Sequence, residues 1–323
     1  MARPPRAVLA LDIGGTKLAV GVVTPDGATQ SFLVEPTHKE EGHAVVIRRL
    51  FDLGHRALEA AGIDEIAAVG ISCGGPLDAE AGVLVAPLHL PGWIDIPLVA
   101  MTSAEFGVPA VLENDASAAA LGEYRYGIAQ HVSTLLYLTV STGIGGGAVL
   151  GGKLHRGAAG NGGEYGHIMV RPGGRPCLCG RNGCLEGYAS GSSIALRARE
   201  AVQATDRQTS LRELDVILAE DVAAAAREGD ELASEIWSET TDVLAQAVTD
   251  LVNVFEPDVV VLGGGVTRSG EQLLGPVRTA VLRDAMRPAA AAVRIESAGL
   301  GDAVGVVGAA ALAFDLAESR VDA

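Results

Sequence analysis

The stretch Leu9-Ala-Leu-Asp-Ile-Gly-Gly-Thr-Lys-Leu-Ala-Val-Gly-Val-Val23 decides the fold. Two apolar, β-rich runs are joined here by a Gly-Gly turn, which predicts a hairpin. The same plan of strand, glycine turn and strand returns in Thr134-Leu-Leu-Tyr-Leu-Thr-Val-Ser-Thr-Gly-Ile-Gly-Gly-Gly-Ala-Val-Leu150, although few letters match. We interpret the two stretches as an internal duplication in which one copy opens each of two domains.

Strands and helices alternate along the rest of the chain. The pattern predicts strands over 66–72, 108–112 and 258–262, and helices over 41–61, over 116–126, before Pro257 and from residue 303. Duplicated halves with this alternation predict an α/β, two-lobed protein with a cleft between the lobes. We place the N-terminal lobe at 1–122, with the helix 303–323 packed back on it. The C-terminal lobe then covers 123–302.

Composition excludes some classes of protein. The 323 residues are 48% apolar, so a full core can form and disorder is excluded for most of the chain. The formal net charge is −16, which argues against non-specific nucleic-acid binding. Backbone N–H groups can still bind phosphate without any side-chain charge. We therefore expect small-molecule partners and no nucleic acid.

We expect a cytoplasmic protein that does not bind membranes. The first residues lead directly into a strand pattern, without the apolar region of a signal peptide. The longest apolar stretch, 303–316, is too short to span a bilayer. Three of the four cysteines lie within eight residues, unlike the disulfide framework of a secreted protein.

The turn Asp12-x-Gly-Gly-Thr-Lys17 is the first candidate for phosphate binding. Gly14 and Gly15 let backbone N–H groups approach a phosphate, while Asp12 faces a bound Mg²⁺. Thr16 and Lys17 add a hydroxyl and a charge. The alternative is a plain hairpin whose glycines serve only the turn. The spacing is not that of a P-loop.

Two further glycine turns follow strands, at Ser141-Thr142-Gly143 and at Gly263-Gly264-Gly265. Either one alone is better explained as a tight turn. Together with the first turn they predict two hairpins that hold one phosphate chain from both sides. The third turn then leaves room for a nucleoside.

Glu113-Asn114-Asp115 ends an apolar strand, where α/β proteins place their ligands. Phosphoryl transfer needs a base that orients the attacking hydroxyl, and an Asp at this edge can accept its proton. The adjacent Asn can donate to and accept from a polyol. The alternative is an N-cap, because a helix follows; both roles can hold at once.

The most specific local pattern is His167-x9-Cys177-x-Cys179-x4-Cys184. Three thiolates and one imidazole make a closed tetrahedral zinc set, which is typical of a structural site. The alternative is a disulfide or inert thiols. Cys73 stands apart and is predicted to be a small core residue.

Glu164 and Glu186 flank this predicted zinc loop within glycine-rich sequence. Carboxylates accept strong hydrogen bonds from sugar hydroxyls, and a zinc-bound histidine can offer its other ring nitrogen to a ligand. Solvated loop charges are the alternative for either glutamate. The remaining histidines are predicted to be ordinary: His38, His43, His55, His89, His131 and His155.

Four motifs together resemble the ROK family (repressors, open reading frames and sugar kinases) of the actin/hexokinase-like, ribonuclease H-like superfamily. The resemblance runs from about Leu9 to Leu312. Its motifs are Asp12-Ile-Gly-Gly-Thr-Lys17, Glu113-Asn-Asp-Ala116, Glu164-Tyr-Gly-His167 and Cys177-Leu-Cys-Gly-Arg-Asn-Gly-Cys-Leu-Glu186.

This resemblance implies an ATP- and Mg²⁺-dependent hexose kinase that phosphorylates glucose at O6, with structural zinc. It makes Asp115 the catalytic base. It also implies a homodimer or a dimer of dimers. The implied sugar contacts are Gly75, Asn114, Asp115, Glu164, His167 and Glu186.

Two alternatives stay open. One is a kinase for mannose, fructose, allose, N-acetylglucosamine or N-acetylmannosamine, and the other is a non-catalytic sugar sensor. Intact Asp12 and Asp115 argue against the sensor.

Only eleven residues precede Asp12, where repressor members carry a DNA-binding helix-turn-helix, so we expect no DNA binding. Cys73 replaces the small apolar residue expected before Gly74, which leaves the fine shape of the pocket open. Polyphosphate as donor also stays open.

Overall fold

The computed structural model describes residues 7–321. Its strands are β1 (Val8–Ile13), β2 (Lys17–Val23), β3 (Thr29–Pro36), β4 (Val69–Cys73), β5 (Leu77–Asp78), β6 (Val83–Leu84), β7 (Ala110–Asn114), β8 (Leu135–Val140), β9 (Ile144–Leu150), β10 (Lys153–Leu154), β11 (Val259–Gly263) and β12 (Arg294–Ser297). Its α-helices are α1 (His43–Ala61), α2 (Leu98–Phe106), α3 (Asp115–Arg125), α4 (Glu186–Ala189), α5 (Gly191–Ala204), α6 (Ala219–Arg227), α7 (Glu231–Phe255), α8 (Glu271–Asp284), α9 (Arg287–Ala292) and α10 (Val304–Val321). Short 3-10 helices cover Lys39–Glu41, Tyr165–His167, Ser210–Glu213, Gly265–Ser269 and Gly301–Ala303.

Two five-stranded sheets follow one plan. Their strand orders are β3-β2-β1-β4-β7 and β10-β9-β8-β11-β12. In each sheet the opening hairpin is antiparallel, and its first strand pairs in parallel with the next strand inward, β1 with β4 and β8 with β11. The two sheets have separate large cores, one around β1 and α1 and the other around β8 and α7. The α/β fold with duplicated halves, predicted from the two glycine hairpins, is confirmed.

Helix α10 lies against the first sheet and against α3. A Cβ at Gly70 of β4 would lie 1.8 Å from the carbonyl oxygen of Ala309, and one at Gly308 would lie 2.2 Å from that of Ala118. Glycine is therefore required at both places for the main chains to approach this closely. The lobe boundaries stay predictions, and residues 322–323 of the predicted helix lie outside the described residues.

Several elements begin or end away from their predicted positions. Helix α1 begins at His43 instead of residue 41, because Lys39–Glu41 forms a 3-10 turn and Gly42 has φ 84°. Strand β7 continues to Asn114, two residues beyond its predicted end, because Glu113 and Asn114 pair with the end of β4. Within residues 7–321, no helix combines the length and the apolar character needed to cross a membrane.

Candidate active site

Three parallel strands bring three predicted features to one sheet edge. These are the phosphate turn, the loop at Gly74-Gly75 (called the sugar loop below) and the base. Asp12 on β1 pairs with Ser72 on β4, and Cys73 pairs with Asn114 on β7. The segments that follow these strands therefore meet outside their carboxyl ends, where ligands bind in open α/β sheets. They contain Gly14-Gly15, Gly74-Gly75 and Asp115 respectively.

The first two glycine turns occupy the same place in their sheets. In the first, the N–H of Gly14 donates to the carbonyl of Lys17 at 2.9 Å, and Thr16 and Lys17 are exposed on the turn. In the second, the N–H of Ser141 donates to the carbonyl of Gly143 at 2.9 Å, and Thr142 is exposed. The two hairpins thus have exposed turns at the same place in their sheets, although the first turn is one residue longer than the second.

The third turn is mostly explained by packing. A Cβ at Gly263 would lie 2.3 Å from the hydroxyl of Tyr137, and one at Gly264, which has φ 92°, would lie 2.5 Å from the carbonyl oxygen of Val140. These two glycines let β11 approach β8 closely. Only Gly265 is exposed with open space around it, so within this turn Gly265 alone fits the idea of room for a nucleoside.

Asp12 is a half-buried carboxyl at the centre of this edge. Its pKa is raised to about 6, mainly by burial and also by the nearby Asp115, while Ser72 and Lys17 oppose the shift. A Cβ at Gly305 would lie 2.4 Å from Oδ2 of Asp12, so the first turn of α10 closes one side of the carboxyl group. Asp12 is therefore mostly ionised at neutral pH, as a Mg²⁺ ligand must be.

Asn114 and Asp115 form the junction of β7 and α3. The side-chain oxygen of Asn114 accepts from the N–H groups of Ala116 and Ser117 at 3.0 and 3.2 Å, so the N-cap role is confirmed for this residue. A Cβ at Gly75 would lie 3.8 Å from Nδ2 of Asn114, which places that amide group beside the sugar loop.

The carboxyl group of Asp115 reaches solvent at the sheet edge although protein surrounds it at longer range. Its Oδ1 accepts from the N–H of Ala116 at 2.8 Å, which leaves Oδ2 for a ligand. Loss of hydration raises the pKa of Asp115, while the imidazole of His89 lowers it. A carboxylate with a raised pKa is a better proton acceptor, as a general base requires.

The zinc prediction agrees with the geometry of its four side chains. The ligand atoms of His167, Cys177, Cys179 and Cys184 all lie within 4.8 Å of one another. Sγ of Cys179 and Cys184 are 3.7 Å apart, and Sγ of Cys177 is 3.6 Å from Nδ1 of His167. Tetrahedral bonds of about 2.3 Å to sulfur and 2.0 Å to nitrogen give separations of about 3.8 and 3.5 Å.

The donor chemistry of this cluster also suits zinc. A hydrogen bond from the backbone of Arg181 is the main cause that lowers the pKa of the Cys179 thiol to about 6, and the thiolate is the form that binds metal. Burial raises the pKa of the Cys177 and Cys184 thiols, so a bound cation would be needed to hold all three as thiolates. With Nδ1 directed to the metal, Nε2 of His167 is left on the other side of the ring, 3.8 Å from Oε2 of Glu164.

The two glutamates beside the cluster differ in their surroundings. Oε2 of Glu186 accepts from the N–H of Ile144 at 2.8 Å, and a Cβ at Gly143 would lie 2.7 Å from the same oxygen. Its Oε1 lies 3.8 Å from Sγ of Cys177. Glu186 therefore contacts the second glycine turn and the zinc cluster. Glu164 is more exposed, and partial burial raises its pKa.

The sequence analysis did not predict the ion pair between Glu113 and Arg156. Glu113 is 1% exposed, and its Oε2 accepts from Nε of Arg156 at 2.6 Å. Its Oε1 accepts from the N–H of Asn114 at 3.0 Å. The pair ties the loop after β10 to the end of β7. One signal was available, because an acid inside the apolar strand Val111-Leu-Glu113 requires a buried partner.

His89 was predicted to have no role in the site, but its side chain lies among the predicted site residues. The side chain lies at the same sheet edge, with Nε2 4.0 Å from Sγ of Cys73. Burial lowers its pKa, and the charge of Asp115 opposes this shift. Cys73 itself is a buried core residue, as predicted. No local pattern marks His89, because its neighbours at the site lie far away in sequence.

Comparisons with known proteins show the family of this chain. The model of the ROK family matches residues 8–315. The chain is 34% identical over 312 residues to the glucokinase of Thermotoga maritima, covering 96% of this chain and 98% of the relative. It is similar to the solved structure of a ROK hexokinase from Thermus thermophilus, with 37% identity, a TM-score of 0.82 and coverage of 97% and 99%. A ROK family glucokinase from Streptomyces griseus, solved in complex with glucose and AMPPNP, has 34% identity, a TM-score of 0.79 and coverage of 96% and 99%. The chain belongs to the ROK family.

Proposed function

We propose that this protein transfers the γ-phosphoryl group of ATP to O6 of glucose, giving ADP and glucose 6-phosphate. The observation that carries the proposal is the meeting of Asp12, Asp115 and the glycine turn at one sheet edge. Glucokinases that match nearly the whole chain support glucose as the acceptor. The complex of the Streptomyces griseus relative with glucose and AMPPNP supports this pair of substrates.

Asp115 acts as the base in this reaction. It accepts the proton of the O6 hydroxyl while O6 forms its bond to the γ-phosphorus. The bond from the γ-phosphorus to the oxygen bridging to the β-phosphate breaks, and ADP leaves with that electron pair. The raised pKa of Asp115 brings its basicity closer to the working pH.

The glycine turns hold the phosphate chain. Backbone N–H groups around Gly14-Gly15 and Thr142-Gly143 point dipoles at the phosphate oxygens. Mg²⁺, when bound, neutralises charge on these oxygens, and Asp12 is the carboxylate that would hold it.

Residues on both sides of the base hold the sugar. The amide of Asn114 lies beside Gly75, and Glu164 and Nε2 of His167 lie together on the segment before the zinc loop. Carboxylate and imidazole groups fixed in this way are suited to sugar hydroxyls. A structural zinc on His167 and the three cysteines would fix the segment, and Glu186 joins it to the second glycine turn.

ADP release with Mg²⁺-ATP across a panel of sugars tests the proposal. The panel contains glucose, mannose, fructose, allose, N-acetylglucosamine and N-acetylmannosamine, and polyphosphate replaces ATP in a parallel series. We expect glucose to have the highest kcat/KM with ATP. Another preferred sugar would keep the kinase and change the substrate. Sugar binding by calorimetry without turnover on any member would favour the sensor.

Other expectations from the sequence belong to the same proposal. We infer a cytoplasmic homodimer or homotetramer without nucleic-acid partners. The acidic surface implied by the net charge of −16 supports the last point. Light scattering at several protein concentrations tests the oligomeric state.

A further inference from the structure

His89 is held firmly in the loop between β6 and α2. The N–H of Leu90 donates to the carbonyl of Pro87 at 3.0 Å, and that of Trp93 donates to the carbonyl of Leu90 at 3.2 Å. Leu90 and Trp93 are each 1% exposed and belong to the core beneath the first sheet. The loop on both sides of His89 is thus fixed, which keeps the imidazole from moving freely.

The side chain fills the space between the first glycine turn and the sugar loop. A Cβ at Gly15 would lie 3.1 Å from Cβ of His89, and one at Gly74 would lie 2.4 Å from its Cε1. Its Nε2 lies 4.0 Å from Sγ of Cys73, and the backbone of Ile13 is close enough to affect the pKa of the ring. One residue therefore contacts the ends of both β1 and β4. A side chain at Gly74 would displace the His89 ring, and one at Gly15 would press against its Cβ.

This contact joins the two halves of the proposed reaction. The turn after β1 holds the phosphoryl donor, and the loop after β4 contacts the acceptor sugar beside Asn114. Rate falls steeply when donor and acceptor are misplaced, by about 100-fold for 1 Å. We propose that His89 is a positioning residue for phosphoryl transfer, which sets the separation of the phosphate turn from the sugar loop. The inference rests on the proposed kinase function.

Substitution of His89 tests the proposal, with kcat and KM measured separately for ATP and for the preferred sugar. His89→Leu keeps most of the volume and loses the polar ring beside Cys73 and the backbone of Ile13. We expect its kcat to fall about 10- to 100-fold, with both KM values within about threefold of wild type. His55→Leu is the matched control, because His55 is an exposed histidine of the same lobe that contacts Glu105 and Phe106, away from the predicted site; it should keep wild-type kcat.

Two conservative variants separate positioning from folding. The amide group of His89→Asn lies at about the position of Nδ1, and that of His89→Gln at about the position of Nε2. We expect one of the two to recover most of the lost kcat, because it keeps a polar group of similar reach between the two loops.

Melting temperatures are measured for every variant. If His89→Leu keeps the wild-type kcat, the positioning role of His89 is wrong. The proposed kinase function would still stand, since the wild-type enzyme would be active. An equal loss in Leu, Asn and Gln variants, with melting temperatures lowered together, would show a purely structural role and also overturn it. A wild-type protein without turnover on any sugar would overturn both the proposed function and this inference.

Discussion

Asp12→Asn is expected to stabilise the protein while it removes activity. The folded chain holds the carboxyl of Asp12 in a half-buried place near a second acid, Asp115, and its pKa of about 6 lies well above the ordinary 3.8. The charged form is thus disfavoured in the folded state relative to the unfolded state. An amide of the same shape has no charge to bury, but it cannot replace a carboxylate as a Mg²⁺ ligand.

The size of the effect follows from the pKa difference. A group whose pKa is raised on folding lowers stability at pH values above its folded pKa, and this penalty disappears as the pH falls toward the unfolded pKa. A shift of about 2 units corresponds to about 3 kcal/mol at pH 8. At pH 5 Asp12 is mostly protonated in the folded protein, and the same pKa difference lowers the free energy of unfolding by about half as much as at pH 8.

Urea unfolding at pH 8 and pH 5 measures this difference. The chain has two tryptophans, of which Trp93 lies in the same core as β1 and Trp237 in the other large core. In a Trp237→Phe background, fluorescence therefore reports on the core beneath Asp12. The samples contain no Mg²⁺ or nucleotide, and no chelator, which would remove zinc. Asp52→Asn, an exposed position on α1, is the control.

Either of two results would contradict the expected gain in stability. Asp12→Asn with no more stability than Asp52→Asn at pH 8 would show that the carboxylate is not desolvated. A gain that stays the same size at pH 5 would show that it does not come from the charge. Retained turnover with Mg²⁺-ATP in Asp12→Asn would in turn contradict the assignment of this residue to Mg²⁺.

Three more predictions follow from the site. Asp115→Asn should lower kcat by about 10²- to 10⁴-fold while glucose still binds in calorimetry, since only the base is lost; turnover within a few-fold of wild type would disprove the base assignment. Cys179→Ser should lower zinc from about one ion per chain and reduce the melting temperature, as metal analysis and calorimetry would show; a metal-free wild type of equal stability would contradict it. Arg156→Gln should destabilise the protein by about 2 kcal/mol, because buried Glu113 loses its charged donor, and Glu113→Gln added to it should restore most of that loss. An additive double-mutant cycle would show that the two side chains are not coupled.

Features set by neighbouring residues could be predicted from the sequence. The hairpin at Gly14-Gly15 depends on a turn between two apolar runs, and the cluster at Cys177–Cys184 depends on spacing within one loop. Contacts between distant segments could not be predicted. His89 contacts Gly15 and Gly74, and Arg156 contacts Glu113 across 43 positions. Their partners become neighbours only when β1, β4 and β7 align, and no local periodicity in the sequence predicts that alignment.

Glycine was the least specific signal in the sequence. Gly14 and Gly143 belong to solvent-facing turns that suit phosphate, whereas Gly263 and Gly264 are required by the approach of β11 to Tyr137 and Val140. The residue type is the same in both cases. What differs is whether a side chain would meet its own turn and Glu186 or a neighbouring strand, and only the packed structure shows this.

The duplicated sheets have a consequence for the orientation of the nucleotide. In the proposed function a phosphate chain lies between the two glycine turns, and backbone dipoles alone would let it lie in either direction. The next-to-last residue of β1 is Asp12, but the corresponding residue of β8 is Thr139. At this strand position a carboxylate that could hold a divalent cation is therefore present in the first sheet and absent from the second. This difference would place the cation, and with it the γ-phosphoryl group, on the side of Asp115 in the proposed kinase.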